Sequence, residues 1–194
     1  MLSCCAVVAL LNVACDATPA EEEECIQSAG ECLLNLLGNG TFDDTQIIWL
    51  TEKYGTIDVV STNPSDDGSA SSGRVTNTDW RGYGTSRGVF QCVEIEANRD
   101  YLLQGDSYLS GDMPSGSYLS IAITTYRMER CEGDYIDYDT TWASGTLLDT
   151  WEHSSVEFTP HADAITARVE LIVGKAEYTD DVSGQFDNIL LANP

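Results

Sequence analysis

Positively charged residues are scarce in this sequence. The chain of 194 residues has nine Lys and Arg residues against 32 Asp and Glu residues, which gives a formal net charge of −23. An electrostatic field of this sign repels phosphate backbones, so we do not expect the protein to bind nucleic acid. Two interpretations of the acidic excess stay open: solvation of the surface, which we favour, and binding of divalent cations.

Histidine and closely spaced cysteines are also scarce. His153 and His161 are the two histidines, and no Cys-x-x-Cys pair occurs. Because zinc sites are typically built from these groups, we expect no zinc site. A Walker loop, a dinucleotide-binding fingerprint and a His-Glu-x-x-His motif are missing as well. Carboxylate pairs are too numerous among 32 acids to indicate a glycosidase without their separations. We therefore predict that the protein is not an enzyme. A hydrolase is a third possibility, after the two binding functions considered below.

Long segments of helical periodicity and internal repeats are absent too. The chain instead alternates apolar and polar residues over short stretches between turn residues. The clearest stretches are 88–97, 118–130, 156–158, 165–173 and 185–191. Alternation with a period of two is typical of antiparallel strands with one buried face, and many short strands separated by turns are typical of sandwiches. We predict an all-β, two-sheet antiparallel β-sandwich in which the last strand pairs with 34–42.

The beginning of the chain has the features of an export signal. An apolar run at 6–11 is too short to span a bilayer, and the Val13-Ala14-Cys15 that follows resembles a bacterial lipoprotein box. We expect a signal peptide at 1–14, lipidation of Cys15, an acidic tether at 15–32 that ends in a short helical turn, and one β-sandwich domain at 33–194. The expected location is the bacterial cell surface or outer membrane, or otherwise secretion.

Four cysteines follow Cys15 in the expected mature chain, namely Cys25, Cys32, Cys92 and Cys131. In an exported protein, four cysteines predict two disulfides. The sequence allows three pairings. We favour a local loop between Cys25 and Cys32 and a bond between two strands from Cys92 to Cys131.

Several motifs, taken in their order, resemble the jelly-roll carbohydrate-binding modules of families 4, 9 and 22. The opening Leu-Leu-Gly-Asn-Gly-Thr-Phe-Asp at 36–43 is followed by Trp49, and a middle strand begins with Tyr-Leu-Leu at 101–103. The closing motifs are Trp151, Val-x-Phe at 156–158, Arg-Val-x-Leu at 168–171 and Phe-Asp-Asn-Ile-x-Leu at 186–191. The resemblance covers about residues 33–193. It implies a jelly roll that binds carbohydrate, with Trp49 and Trp151 in the core.

The same resemblance implies a structural calcium ion between the first and last strands. Asp43 and Asp187 would supply carboxylates, Gly73 a main-chain carbonyl, and Asp44 further oxygen. Calcium prefers several hard oxygen ligands of these kinds.

A binding face is predicted on the strand at 118–130. Opposite its apolar Leu119, Ile121 and Ile123 face, small residues stand between tyrosines, and Arg168 and Glu170 point outward on another strand. Aromatic rings stack on the C–H faces of sugars while polar groups bind the hydroxyls. Including loop aromatics, among which we count Tyr135 and Tyr138, we predict a carbohydrate site formed by Trp80, Arg81, Tyr83, Tyr126, Arg127 and Trp142. The alternative is a cell-surface structural or protein-interaction sandwich with no glycan ligand.

Overall fold

The computed structural model describes residues 25–28, 31–44, 47–61, 71–81, 84–143, 148–175 and 180–194, and the side chains of all of these except 25–32 and 139–143. The predicted signal peptide and Cys15 therefore lie outside the described residues. No helix in the described ranges is both long and apolar enough to cross a membrane.

Twelve strands account for the described architecture. In chain order they are β1 (Cys25–Ser28), β2 (Glu31–Leu34), β3 (Leu50–Thr51), β4 (Gly55–Val60), β5 (Ser72–Asn77), β6 (Thr85–Glu94), β7 (Tyr101–Tyr108), β8 (Tyr118–Tyr126), β9 (Tyr135–Ala143), β10 (Trp151–Phe158), β11 (Thr166–Lys175) and β12 (Val182–Ala192). The first sheet has the order β10-β7-β12-β5-β4 and the second the order β3-β6-β11-β8-β9, while β1 and β2 form a separate hairpin. From β5 to β8, successive strands alternate between the two sheets. The predicted all-β, two-sheet jelly-roll sandwich is confirmed.

The core is formed by the inward-facing half of each alternating strand. Leu119 and Ile121 of β8 and Val169 and Leu171 of β11 are at most 2% exposed and pack in one cluster with residues of the first sheet. Period-two burial places their sequence neighbours on the outer face of the same sheet. The predicted inward faces of these strands are therefore correct, although Ile165 precedes β11 and is exposed.

The opening and closing segments of the domain lie side by side. The Leu36 amide donates to the Leu191 carbonyl at 2.8 Å, and the Ile189 amide donates to the Gly40 carbonyl at 2.9 Å. A register shift in the pairing of β12 with β7 between residues 187 and 190 precedes this contact. Phe42 and Phe186 pack in the same core cluster, so the opening and closing segments adjoin as predicted, although the strands that pair with β12 are β5 and β7.

Trp151 is the main residue that the sequence analysis wrongly places in the core. Trp49 is 3% exposed and belongs to the core cluster, as predicted. Trp151 is only half-buried and lies opposite Tyr108 on the outer face of the first sheet, where the two ring centroids are 5.6 Å apart. The alternation of β10 explains this position, because Val156 and Phe158 point inward and an odd-numbered residue of the same strand points outward.

Several element predictions also need correction. The expected helical turn near Cys25 is wrong, because 25–28 and 31–34 pair as an antiparallel hairpin. The acidic segment that carries the expected loop aromatics Tyr135, Tyr138 and Trp142 is strand β9. Strand β5 was not predicted, since its Gly-Arg-Val-Thr stretch follows a loop rich in turn residues.

One of the two predicted disulfides lies in the described region. Cys92 of β6 is bonded to Cys131, which confirms this pairing. Cys131 ends a short 3-10 turn at Glu129–Cys131, so the bond joins a strand to a turn and not two strands. The side chains of Cys25 and Cys32 lie outside the described set, and their pairing stays a prediction.

Candidate functional site

The outer face of the second sheet carries a group of aromatic, small and charged side chains. Arg168 and Glu170 of β11 lie opposite Thr124 and Ala122 of β8 on one side and Cys92 and Phe90 of β6 on the other. We call this surface the outer face. Its members in the register are Ser86, Gly88, Phe90, Cys92 and Glu94 of β6, Tyr118, Ser120, Ala122, Thr124 and Tyr126 of β8, and Thr166, Arg168, Glu170, Ile172 and Gly174 of β11.

Small residues in the middle of the outer face make room for the aromatic ring at one end. A Cβ atom on Gly174 would lie 2.1 Å from Cε1 of Tyr118, so the tyrosine ring lies directly over this glycine. The Tyr118 hydroxyl also shares a hydrogen bond of 2.5 Å with the Ser86 hydroxyl across β11. Tyr118 is therefore held flat across the sheet, where it can present a ring face to a ligand.

Arg168 is the centre of a charged cluster on the outer face. Its Nη2 pairs with Oε1 of Glu170 at 2.8 Å and with Oε1 of Glu52, which follows β3. Its guanidinium carbon lies 3.9 Å from the centroid of the Phe90 ring, a stacking distance for a cation over a π face. The side chains of Arg168 and Glu170 are only 20% and 16% exposed. The cluster is thus rigid and largely desolvated.

The burial of this cluster shifts two pKa values and leaves one donor of Arg168 without a partner in the described ranges. Burial raises the pKa of Glu170, which Arg168 partly offsets, and burial also raises the pKa of the Tyr126 hydroxyl. Nε of Arg168 is buried and has no hydrogen-bond partner among the described residues. A buried donor without an acceptor costs free energy.

The residues of the predicted carbohydrate site do not form one cluster. Tyr126 lies on the outer face beside Arg168, as predicted. Trp142 lies opposite Ser120 in the register, with its side chain outside the described set. Arg127 is exposed and pairs with Asp163 at 3.4 Å.

Trp80 and Arg81 lie elsewhere, in the loop between β5 and β6 at the end of the sandwich where β11 finishes. Tyr126 is at the other end of β11, a strand of ten residues, or roughly 30 Å away along the sheet. Arg81 is bound to the carboxylate of Asp79 at 2.6 Å, and Trp80 is 76% exposed. Tyr83 lies outside the described residues.

The sequence analysis did not include Phe90 and Glu52 in the predicted site. It placed Arg168 and Glu170 only at the border of the predicted binding face. Alternation already placed Phe90 outward, next to the outward-facing Arg168, and this was the available signal. Glu52 gave none, because it follows a strand of only two residues and reaches the cluster through tertiary pairing.

A serine within a Gly-x-Ser-x-Gly sequence, at 84–88, was also overlooked. In hydrolases this motif forms a sharp turn from a strand into a helix. Here Ser86 lies inside β6, and its hydroxyl is bonded to Tyr118. The motif therefore does not form a nucleophile elbow in this fold.

The predicted calcium ligands are spread over two environments. Asp43 and Asp44 are exposed, whereas Asp187 is completely buried and accepts a hydrogen bond from the Asn188 amide at 2.8 Å. Gly73 lies in β5 beneath the ring of Phe42. Among the described residues, no group of three or more acidic, His or Cys side chains is arranged to hold a metal ion. These carboxylates alone do not form a calcium site, so calcium stays a prediction, which a melting temperature unchanged by chelation would rule out.

Comparison with known proteins identifies the fold through structure and not through sequence. No protein-family model and no curated protein matches the chain. Among solved structures, a family 16 carbohydrate-binding module is similar with a TM-score of 0.56 and 19% identity, over 82% of this chain and 100% of the module. The CBM22-2 xylan-binding domain of Paenibacillus barcinonensis Xyn10C is similar with a TM-score of 0.58 and 12% identity, over 80% of this chain and 98% of that domain.

An enzyme also contains a similar sandwich. The enzymatically active domain of bacteriophage CBA120 tailspike protein 4 matches with a TM-score of 0.57 and 12% identity, over 82% of this chain. This chain spans only 21% of that protein, whereas it spans the whole or nearly the whole of the two carbohydrate-binding modules. At these identities the similarity shows the shared β-sandwich fold.

Proposed function

We propose that the protein binds polysaccharide or oligosaccharide chains on the outer face of its second sheet and does not cleave them. The observation that carries this proposal is the desolvated cluster of Arg168, Glu52 and Glu170, in which the guanidinium of Arg168 stacks on Phe90. Tyr118 and Tyr126 lie in the same sheet. Fixed rings and fixed polar groups are the two elements that sugar recognition requires. The fold similarity to carbohydrate-binding modules supports the same function.

Each part of the outer face has a role in this proposal. The rings of Tyr118 and Tyr126 stack on the C–H faces of sugar units, and the buried Ser120 and Ala122 between them keep the surface low enough for a chain to cross. The carboxylates of the cluster, whose side chains are 16–30% exposed, accept from the hydroxyl groups of the sugar. Hydrogen bonds to charged groups contribute about 1.5–3 kcal/mol each.

The charges of the cluster favour neutral glycans. One guanidinium is balanced by two carboxylates, so the centre of the site has a net negative charge, within a chain of net charge −23. A polysaccharide that carries carboxylates or sulfates would be repelled from this surface. We therefore assign xylan-like, glucan-like or galactan-like chains as the ligand class.

A binding experiment with matched arginine variants tests the proposal. Affinity electrophoresis of the whole chain in gels that contain xylan, galactan or β-glucan measures retention, and the variants are Arg168→Met and Tyr126→Ala. The control is Arg74→Met, which removes an arginine from an exposed ion pair with Asp58 on the first sheet. We expect retention by at least one neutral glycan that both outer-face variants lose and the control keeps. Retention on no glycan would overturn the proposal and favour the protein-interaction alternative.

We also propose that the protein acts at a bacterial cell surface through lipid on Cys15. The support is the lipoprotein-like sequence alone. Labelling of expressing bacteria with a clickable fatty acid should mark the wild-type chain and not the Cys15→Ser variant. Equal labelling of the two chains would remove the anchor from the proposal.

A further inference from the structure

A cavity lies at the end of the sandwich where β5, β11 and β8 meet their connecting loops. Its volume is about 1060 Å³. The described residues that line it come from three loops and the last residue of β11, namely Trp80, Asp112, Met113, Pro114, Lys175, Asp180 and Asp181. We call it the loop-end cavity. None of these residues belongs to the outer face.

Lys175 is the unusual member of this lining. Its side chain is 1% exposed, and its ammonium makes one hydrogen bond within the described part of the chain, to the main-chain carbonyl of Asp79 at 3.5 Å. An ammonium group has three donors, so two of them have no acceptor there. Burying a charge with so few partners is costly unless a ligand supplies them.

The nearest carboxylate is already used. Both oxygens of Asp79 accept from Arg81, at 2.9 and 2.6 Å, and Arg87 pairs with the same group at 2.8 Å. Asp79 is therefore a buried anchor for two arginines and cannot neutralise Lys175 as well. Its ion pairs also fix the main chain on both sides of Trp80. The indole, which is 76% exposed, thus lies at the rim of the cavity between two residues that are joined by an ion pair.

The lining as a whole matches a neutral polyhydroxylated ring. Lys175 lacks acceptors for two of its donors among the described residues, the exposed carboxylates of Asp112, Asp180 and Asp181 can accept from hydroxyl groups, and Trp80 offers an apolar face. A sugar unit supplies all three, because each hydroxyl both donates and accepts and the ring has C–H faces for stacking. An anion is disfavoured by the three carboxylates, and a metal ion by the ammonium and by the absence of a metal-type cluster among the described residues.

We propose that the loop-end cavity is a second carbohydrate site, which binds a neutral sugar through Trp80 and Lys175. This inference goes beyond the proposed function, because the two sites share no residue and either can exist without the other. The protein would then hold two glycan segments at once.

Residue-specific NMR separates the two sites. The whole ¹⁵N-labelled chain is titrated with galactose, xylose, glucose, β-1,4-galactotriose and xylohexaose, each to its solubility limit. Amide signals of residues 79–81, 112–113 and 180–181 report the loop-end cavity, and those of residues 122–126 and 168–170 report the outer face. The variants are Trp80→Ala, Lys175→Met and Arg168→Met, with Ile165→Ala as a control for an exposed apolar side chain at the opposite end.

The inference predicts saturable shifts of the loop-end signals with at least one monosaccharide. These shifts should persist in the Arg168→Met and Ile165→Ala variants and weaken at least tenfold in affinity in Trp80→Ala. Because Trp80 is exposed, its replacement leaves the fold intact, so the result does not depend on whether Lys175→Met folds. Absence of loop-end shifts with every sugar overturns the inference, and so does their survival in Trp80→Ala. Loss of outer-face shifts alone bears on the proposed function and not on this site.

Discussion

Replacing Arg168 by methionine tests whether the outer face is held together by its charged cluster. The substitution keeps a long side chain over Phe90 but removes the guanidinium that lies between Glu52 and Glu170. Charge-assisted hydrogen bonds contribute about 1.5–3 kcal/mol, and a cation over an aromatic ring about 0.5–2 kcal/mol. Since the three charged side chains are 16–30% exposed, we take the lower half of these ranges and expect a loss of about 2–3 kcal/mol in the free energy of unfolding.

The same variant has a predicted pH dependence. Burial raises the pKa of Glu170, and Arg168 partly offsets that rise. Without Arg168 the folded pKa rises further above the unfolded value. A carboxyl group with a raised folded pKa stabilises the folded state at pH values below the unfolded pKa, about 4.3, and this contribution is lost as the pH rises through the folded pKa. The deficit of Arg168→Met relative to the wild type should therefore be largest at neutral pH and smaller near pH ~4.

Urea unfolding followed by tryptophan fluorescence at the two pH values measures this deficit. Arg74→Met is the matched control, because Arg74 and its partner Asp58 are 47% and 61% exposed and exposed pairs contribute only about 0–1 kcal/mol. A loss in Arg168→Met no greater than in the control would refute the reasoning. A deficit that does not change with pH would refute the assignment of the effect to Glu170.

Three further predictions concern the fold and the two sites. Asp79→Asn should destabilise the protein at neutral pH, because Arg81 holds the pKa of the Asp79 carboxyl well below its usual range. The stability that the ionised Asp79 contributes is present above pH ~4 and is lost as the pH falls. The urea midpoints of the variant and the wild type should therefore converge in acid. A double serine substitution of Cys92 and Cys131 removes their disulfide, which closes a loop with a sequence separation of 39. Chain entropy predicts a loss of about 4 kcal/mol in the free energy of unfolding. Urea unfolding measures this loss, and an unchanged midpoint would contradict the prediction. Gly174→Ala should move the Tyr118 ring off the sheet and lower the free energy of unfolding by about 0.5–1.5 kcal/mol, because the hydrogen bond to Ser86 is lost. Affinity gels should show weaker glycan retention. Unchanged retention would remove Tyr118 from the site.

The alternation of single strands was enough to predict much of this fold. In β8 and β11 the inward and outward faces follow directly from periodicity, because one buried side forces the register. The same rule would have placed Trp151 outward, since it has the opposite parity to Val156 and Phe158 in β10. Resemblance to a family pattern was given more weight than parity at this position, and the parity was correct.

The candidate sites were harder to predict because they depend on pairings between distant parts of the chain. Glu52 meets Arg168 only because β3 joins the edge of the second sheet beside β6. Lys175 has the same parity as the inward-facing residues of β11, namely Ala167, Val169, Leu171 and Val173, so alternation places it inward but does not show which groups surround its ammonium. Both cases involve a charge whose environment is built by other strands and loops, and local patterns do not encode such environments.

The enclosed positive charges lead to a last prediction about salt. At the outer face Arg168 is balanced by two carboxylates, and in the loop-end cavity Lys175 shares the lining with Asp112, Asp180 and Asp181. A neutral glycan changes no net charge at either site, so its affinity should vary less than twofold between low salt and ~1 M salt, where the screening length falls to about 3 Å. Polygalacturonate should not bind at low salt and should approach only as the repulsion is screened. Calorimetric titration of the whole chain with xylohexaose and with polygalacturonate measures both. Tighter binding of polygalacturonate at low salt would mean that an unbalanced cation is accessible, which is incompatible with the pairing of Arg168 and the burial of Lys175.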